Sequence, residues 1–111
     1  MKPAVYHWWA QRLTAILLTP LFLWFIFALA GVIGRDHAAV HAWIKSPLNS
    51  PFLILFILAL FYHAQLGLEV VIEDYISNDN VRNRCILLAK VAMLAAGLIA
   101  VLAVLKIAMG L

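Results

Sequence analysis

The stretch LTAILLTPLFLWFIFALAGVIG, residues 13–34, holds no charged side chain in 22 positions. A helix needs about 20 predominantly apolar residues to cross the ~30 Å hydrocarbon core of a bilayer. The segment therefore predicts a transmembrane helix and places the chain among membrane proteins. Two further stretches repeat the pattern: residues 52–68, free of Lys, Arg, Asp and Glu with His63 inside, and residues 85–105, charged only at Lys90. The composition agrees, since 67% of the 111 residues are hydrophobic and 12% are charged, against roughly 25% charged in soluble domains. The reading is an all-α membrane protein of one domain, residues 1–111, with three transmembrane helices over about 12–34, 51–76 and 84–108.

Outside these runs the chain supplies ends and connectors. The segment MKPAVYHWWAQR is polar and aromatic, and its rings suit the belt where amphipathic side chains settle at the headgroups. It is expected to lie on the membrane surface, with the first helix starting near Arg12. Residues 35–50 connect the first two spans, and HAAVHAWI within them predicts a short amphipathic turn on the outer surface. Pro51 is well placed as the first residue of the second helix, where its missing N–H costs nothing. The polar run SNDNVRNR joins the second and third. In this layout Lys2, Arg12, Arg82 and Arg84 flank one membrane face and Arg35, Lys45 and Lys106 the other. The positive-inside rule then puts the N-terminus in the cytoplasm, which explains the net charge of +3 without nucleic acid.

A cleaved signal peptide is not expected, because the first apolar run exceeds an h-region of about 7–15 residues. The lone Cys85 rules out an internal disulfide and a cysteine-based zinc or iron–sulfur site within the chain. The chain has no internal repeat, which removes the usual argument for a transporter of duplicated halves. Ala92, Ala96 and Ala100, with Gly97 adjacent, read as a small-residue stripe for close helix packing.

Of the four histidines, only His63 falls near the middle of a span, roughly 18 Å along the axis from both Pro51 and Tyr75. An imidazole at that depth needs a partner in protein, water, metal or cofactor. A hydrogen bond to another helix would satisfy it. Its neighbours suggest more, because His63, Gly67, Val70 and Asp74 share one helical stripe. Gly67, one turn away, leaves room for a large flat ligand, as on a helix that offers an axial ligand to haem. Six-coordinate b-type haem commonly takes two imidazoles, so the second is expected from another chain.

Glu73, Asp74 and Tyr75 come where the second helix leaves the core. Acids and tyrosine are common at an interface, but a quinone needs a donor to its carbonyl and a route for protons. Tyr75 can donate, and Asp74 can orient that phenol or relay protons. Arg12, at the same face, either snorkels to the interface or pairs with haem propionates. Gln65, Glu69 and Glu73 form a second polar stripe. Glu69, about a turn inside the interface, is a candidate proton-path residue at the depth of Lys90.

The spacing of His63, Gly67 and Asp74-Tyr75 in HAQLGLEVVIEDYI resembles the second helix of the small hydrophobic membrane anchor of bacterial succinate dehydrogenase (succinate:quinone oxidoreductase, complex II). QRLTAILL, residues 11–18, looks like that family's start of helix one. The resemblance implies a complex of flavoprotein, iron–sulfur subunit and two anchors in the bacterial inner membrane, with haem b between this chain and a cytochrome b subunit. It implies His63 as an axial ligand of the haem iron, Arg12 as a propionate partner, Tyr75 as donor to ubiquinone and Asp74 as its supporting acid. Electrons would pass from succinate to ubiquinone, with none of the succinate chemistry on this chain. Glu69 departs from the family, where an amide is more usual nearby. A fumarate reductase anchor, or a small proton-path or transport protein without haem, are the competing readings.

Overall fold

A computed structural model describes residues 3–111. Four helices follow in order: α1 (Pro3–Val32), α2 (His37–Lys45), α3 (Asn49–Tyr75) and α4 (Asp79–Ala108). No strand is present among the described residues. Three helices, α1, α3 and α4, are long and apolar enough to cross a membrane, as the uncharged runs predict. At about 1.5 Å per residue, helices of 27–30 residues account for the 50 Å long axis of the molecule.

Local signals set the ends. Gly34, with φ of 81°, and Gly110, with φ of 73°, take the left-handed conformation that glycine adopts without strain just past a helix. The carboxylate of Asp36 accepts from the Ala39 N–H at 2.9 Å, and the amide oxygen of Asn78 accepts from the Val81 N–H at 3.1 Å. These side chains satisfy N–H groups that the first turns of α2 and α4 leave without a carbonyl. Pro51 falls inside the first turn of α3, where its lack of a donor is harmless.

α1 differs from the sequence expectation. Residues 3–11 do not form a separate surface segment but continue the helix back to Pro3. Pro3 has the fixed φ suited to a helix start, and no glycine or further proline interrupts the chain before Arg12. The extension adds more than two turns to α1 and carries Tyr6, His7 and Gln11 alongside α3.

α3 is the central helix, with α1 packed on one side and α4 on the other, while α2 closes one end against all three. The apolar core lies at that closed end. Leu18 and Leu21 of α1, Leu53, Phe56 and Ala59 of α3, and Val104 of α4 are buried there, with Trp43 and Ile44 of α2 against them. Phe25 and Phe56 stack at 4.8 Å between ring centroids, and Trp24 stacks on Trp43 at 5.8 Å. Such pairs add about 0.5–1.5 kcal/mol beyond their buried area. The polar side chains are thereby left to the opposite end, where α1 begins and α3 finishes.

Of the expected small-residue stripe on α4, Gly97 is buried, Ala96 and Ala100 are half-buried and Ala92 is exposed. A Cβ built on Gly97 would stand 3.5 Å from Phe61 Cβ and Cγ, an ordinary contact. Gly97→Ala should therefore fold normally, whereas Gly97→Leu should lower thermal stability in detergent by about 1–3 kcal/mol. Differential scanning of the two variants checks this.

Candidate functional site

In the polar half, α1 contributes Tyr6, His7, Gln11, Arg12 and Thr14 at helical spacing, and α3 answers with Tyr62, His63, Gln65 and Glu69. The seam between α1 and α3 has two sides with different chemistry.

On the first side lies His63. It forms part of the wall of a cavity of about 390 Å³ together with Trp8, Gln11, Arg12, Ala15 and Val70. A second cavity of about 360 Å³ continues past the same imidazole along Ala15, Thr19, Phe22 and Leu60. The two make a groove that is polar toward the start of α1 and apolar toward the core, with the histidine between. The Arg12 guanidinium sits over the Trp8 ring, 4.9 Å from its centroid, an arrangement that holds a cation by its attraction to the ring face. The structure thus brings Arg12 and His63 to one groove.

His63 Nδ1 lies 2.8 Å from Thr14 Oγ1 on α1. Its Nε2 makes no hydrogen bond among the described residues. The helix-to-helix bond foreseen as an alternative for this histidine is present, and it occupies only one of the two ring nitrogens. Gly67 is less exclusively a gap for a flat ligand than its place on the stripe suggests. A Cβ there would meet Gln11 Nε2 at 3.8 Å, so the glycine also serves the approach of α1. Gln11 Oε1 is buried without a hydrogen-bond partner among the described residues.

On the second side, Glu69 collects three partners. Gln65 Nε2 donates to its Oε1 at 2.6 Å, Lys90 Nζ lies 3.2 Å from the same oxygen, and His7 Nε2 lies 3.0 Å from Oε2. The His7 approach lacks the alignment of a hydrogen bond and is a proximity of polar groups. These side chains, with Tyr6, Tyr62 and Glu73, surround a cavity of about 610 Å³. The Tyr6 and Tyr62 hydroxyls are 3.3 Å apart at its rim. The polar stripe of Gln65, Glu69 and Glu73 is thus a cavity wall, and Lys90 pairs with Glu69 as their matching depth implies. A carboxylate in the apolar span is costly unless neutralised, and α4 supplies the cation. His7 is the member that sequence reasoning missed. Its signal was the recurrence of His7, Gln11 and Thr14 at i, i+4 and i+7, one helical face.

Asp74 and Tyr75 stand apart from both sides. They end α3, exposed, with 84% of Tyr75 accessible, and no side-chain hydrogen bond joins them to other groups among the described residues. They lie about 17–18 Å along the helix axis from His63. A pocket around the phenol would need walls from outside this chain. No three His, Cys, Asp or Glu side chains come together as a metal site among the described residues, so any metal bound through His63 must bring its other ligands with it.

Comparison with known proteins adds a lineage to this geometry. The family model for the succinate dehydrogenase/fumarate reductase transmembrane subunit matches residues 1–104. The succinate dehydrogenase hydrophobic membrane anchor subunit of Rickettsia bellii is 37% identical over 89 residues, covering 80% of this chain and 71% of the relative. That of Rickettsia conorii is 36% identical over 90 residues, with the same coverage. The succinate dehydrogenase membrane anchor subunit of Reclinomonas americana is 34% identical over 93 residues, covering 81% of this chain and 78% of the relative.

Proposed function

We infer that this chain, which belongs to the succinate dehydrogenase/fumarate reductase transmembrane subunit family, anchors a succinate dehydrogenase and contributes one haem ligand and one quinone-binding element. The observation that carries the reading is the groove shared by His63 and Arg12. An imidazole with one nitrogen tied to a neighbouring helix and the other without a partner would suit a ligand to haem iron. A guanidinium in the same groove suits propionates, which a planar fork pairs with well. Haem b fits this donor set on one condition, that a second ligand comes from a partner anchor, since this chain offers one imidazole at that depth. When bound, the haem supplies one-electron redox chemistry.

The remaining roles belong to the chain's own groups. Tyr75 would donate its phenol proton to a ubiquinone carbonyl, and Asp74 would orient the phenol or supply protons at the aqueous boundary. Walls for the quinone would come from the cytochrome b subunit and the iron–sulfur subunit, and a flavoprotein would carry the succinate chemistry. The ends of α1, α3 and α4 that bear Arg12, Tyr75, Arg82 and Arg84 share one membrane face. The positive-inside rule assigns that face to the cytoplasm of a bacterial inner membrane. Succinate oxidation is preferred over fumarate reduction because the relatives above carry the dehydrogenase name.

The test is purification through a tag on this chain in mild detergent. Flavoprotein, iron–sulfur protein and a second anchor should copurify with a reduced-minus-oxidised spectrum of b type and succinate–ubiquinone activity. A preparation of this chain alone, without haem, would refute the reading. Arg12→Leu should lower the haem midpoint potential on the order of 60 mV, equivalent to about tenfold in a one-electron equilibrium, because a positive charge near the propionates favours the reduced haem. An unchanged potentiometric titration would leave Arg12 as an interface anchor over Trp8.

A further inference from the structure

Thr14 Oγ1 has three polar neighbours: the Ala10 carbonyl at 2.7 Å, the Gln11 carbonyl at 3.0 Å and His63 Nδ1 at 2.8 Å. A hydroxyl has one proton and two lone pairs, and a carbonyl oxygen only accepts. Were the proton aimed at Nδ1, both carbonyls would face a hydroxyl lone pair at hydrogen-bonding distance. The proton therefore goes to the α1 backbone, and the third neighbour must donate. Nδ1 carries the hydrogen. A neutral imidazole has one N–H, so Nε2 keeps its lone pair. That nitrogen belongs to a ring lying between the two cavities of the α1–α3 groove.

We propose that Thr14 is the positioning residue for His63, fixing the Nδ1–H tautomer and the ring orientation that present Nε2 to an iron porphyrin in the groove. The proposal rests on the haem reading above and names the group on this chain that holds the ligand ready. Ligating histidines usually give their second N–H to a carboxylate, carbonyl or water, which orients the ring and raises its basicity. Here the acceptor is a hydroxyl whose own proton is held by the backbone of α1, so its lone pair cannot turn away. The ring orientation is thus tied to the seating of α1 on α3. A more basic imidazole favours ferric over ferrous iron, so loss of the acceptor raises the midpoint potential.

The experiment compares wild type, Thr14→Val, Thr14→Ala and Thr14→Ser in the intact complex, by potentiometric titration and ferric EPR of the haem. Valine is nearly isosteric with threonine and retains the packing without the acceptor. Thr14→Val and Thr14→Ala should keep a low-spin b-type haem with a raised midpoint potential, shifted EPR g values and haem retention weakened by about 10-fold or more. Thr14→Ser should titrate like wild type. A Thr14→Val complex whose potential and EPR spectrum match wild type overturns the proposal. Failure of both Thr14→Val and Thr14→Ala to assemble, where Thr14→Ser assembles, also overturns it, because the hydroxyl would then be packing helices. A His63→Ala complex with an undiminished b-type spectrum is a separate failure: it removes the haem reading, whatever Thr14 does.

Discussion

His63→Ala is expected to abolish most of the low-spin b-type absorbance per assembled complex while leaving the flavoprotein and iron–sulfur subunits attached. Alanine removes the only imidazole that this chain places at mid-depth in the α1–α3 groove. It leaves a small apolar space, and the ring contributes nothing to the buried core at the α2 end. Assembly should survive for that reason, and the effect should fall on the cofactor. The Thr14 hydroxyl loses its donor, a cost of about 1 kcal/mol for one neutral hydrogen bond. Loss of a haem ligand would cost far more and would change the spin state of any haem that stays. The check is the reduced-minus-oxidised spectrum normalised to flavin or protein. An unchanged low-spin signal would move the ligand to another chain and leave His63 as a hydrogen-bonding residue between helices.

Tyr75→Phe should cut ubiquinone reduction by roughly 10–100-fold, with the haem spectrum intact. That range follows from one hydrogen bond to a group that gains charge as the quinone is reduced, a donor contribution of about 1.5–3 kcal/mol. Tyr75 is exposed at the end of α3 and touches none of the buried core, so the substitution has no folding cost to confuse the readout. Succinate oxidation with an artificial dye in place of ubiquinone should be unchanged, because the proposed function gives that chemistry to the flavoprotein. Loss of haem with normal quinone turnover would contradict both the placement of the phenol and its separation from His63.

The spans were legible because charge-free runs of the right length have few outcomes other than crossing a bilayer. The start of α1 was not, because Tyr6, Trp8 and Trp9 have the composition of an interfacial belt and a helix can carry such residues equally well. What distinguishes the two is the polar face of His7, Gln11 and Thr14, visible only when 3.6-residue spacing is applied upstream of Arg12. The stripe of Gln65, Glu69 and Glu73 could be read from α3 alone because all three belong to one helix. The contacts Thr14–His63 and His7–Glu69 could not, since each depends on the register between two helices. The small-residue stripe on α4 was legible in part for a similar reason: small residues permit close approach on more than one face, and Gly97 is the member set against the Phe61 ring while Ala92 is exposed.

From His63 to Tyr75, α3 runs without proline and without a break in its hydrogen bonding, and this makes it a ruler. The two groups assigned to haem and quinone ride on one rod, so their separation and relative bearing are fixed by the count of residues between them. One residue added or removed in that interval would move the phenol about 1.5 Å along the axis and swing it about 100° around it. Side chains along the rod can change without altering this spacing. Length cannot change, and among members of this family insertions and deletions should collect in the α1–α2–α3 and α3–α4 connections, leaving the span between imidazole and phenol constant.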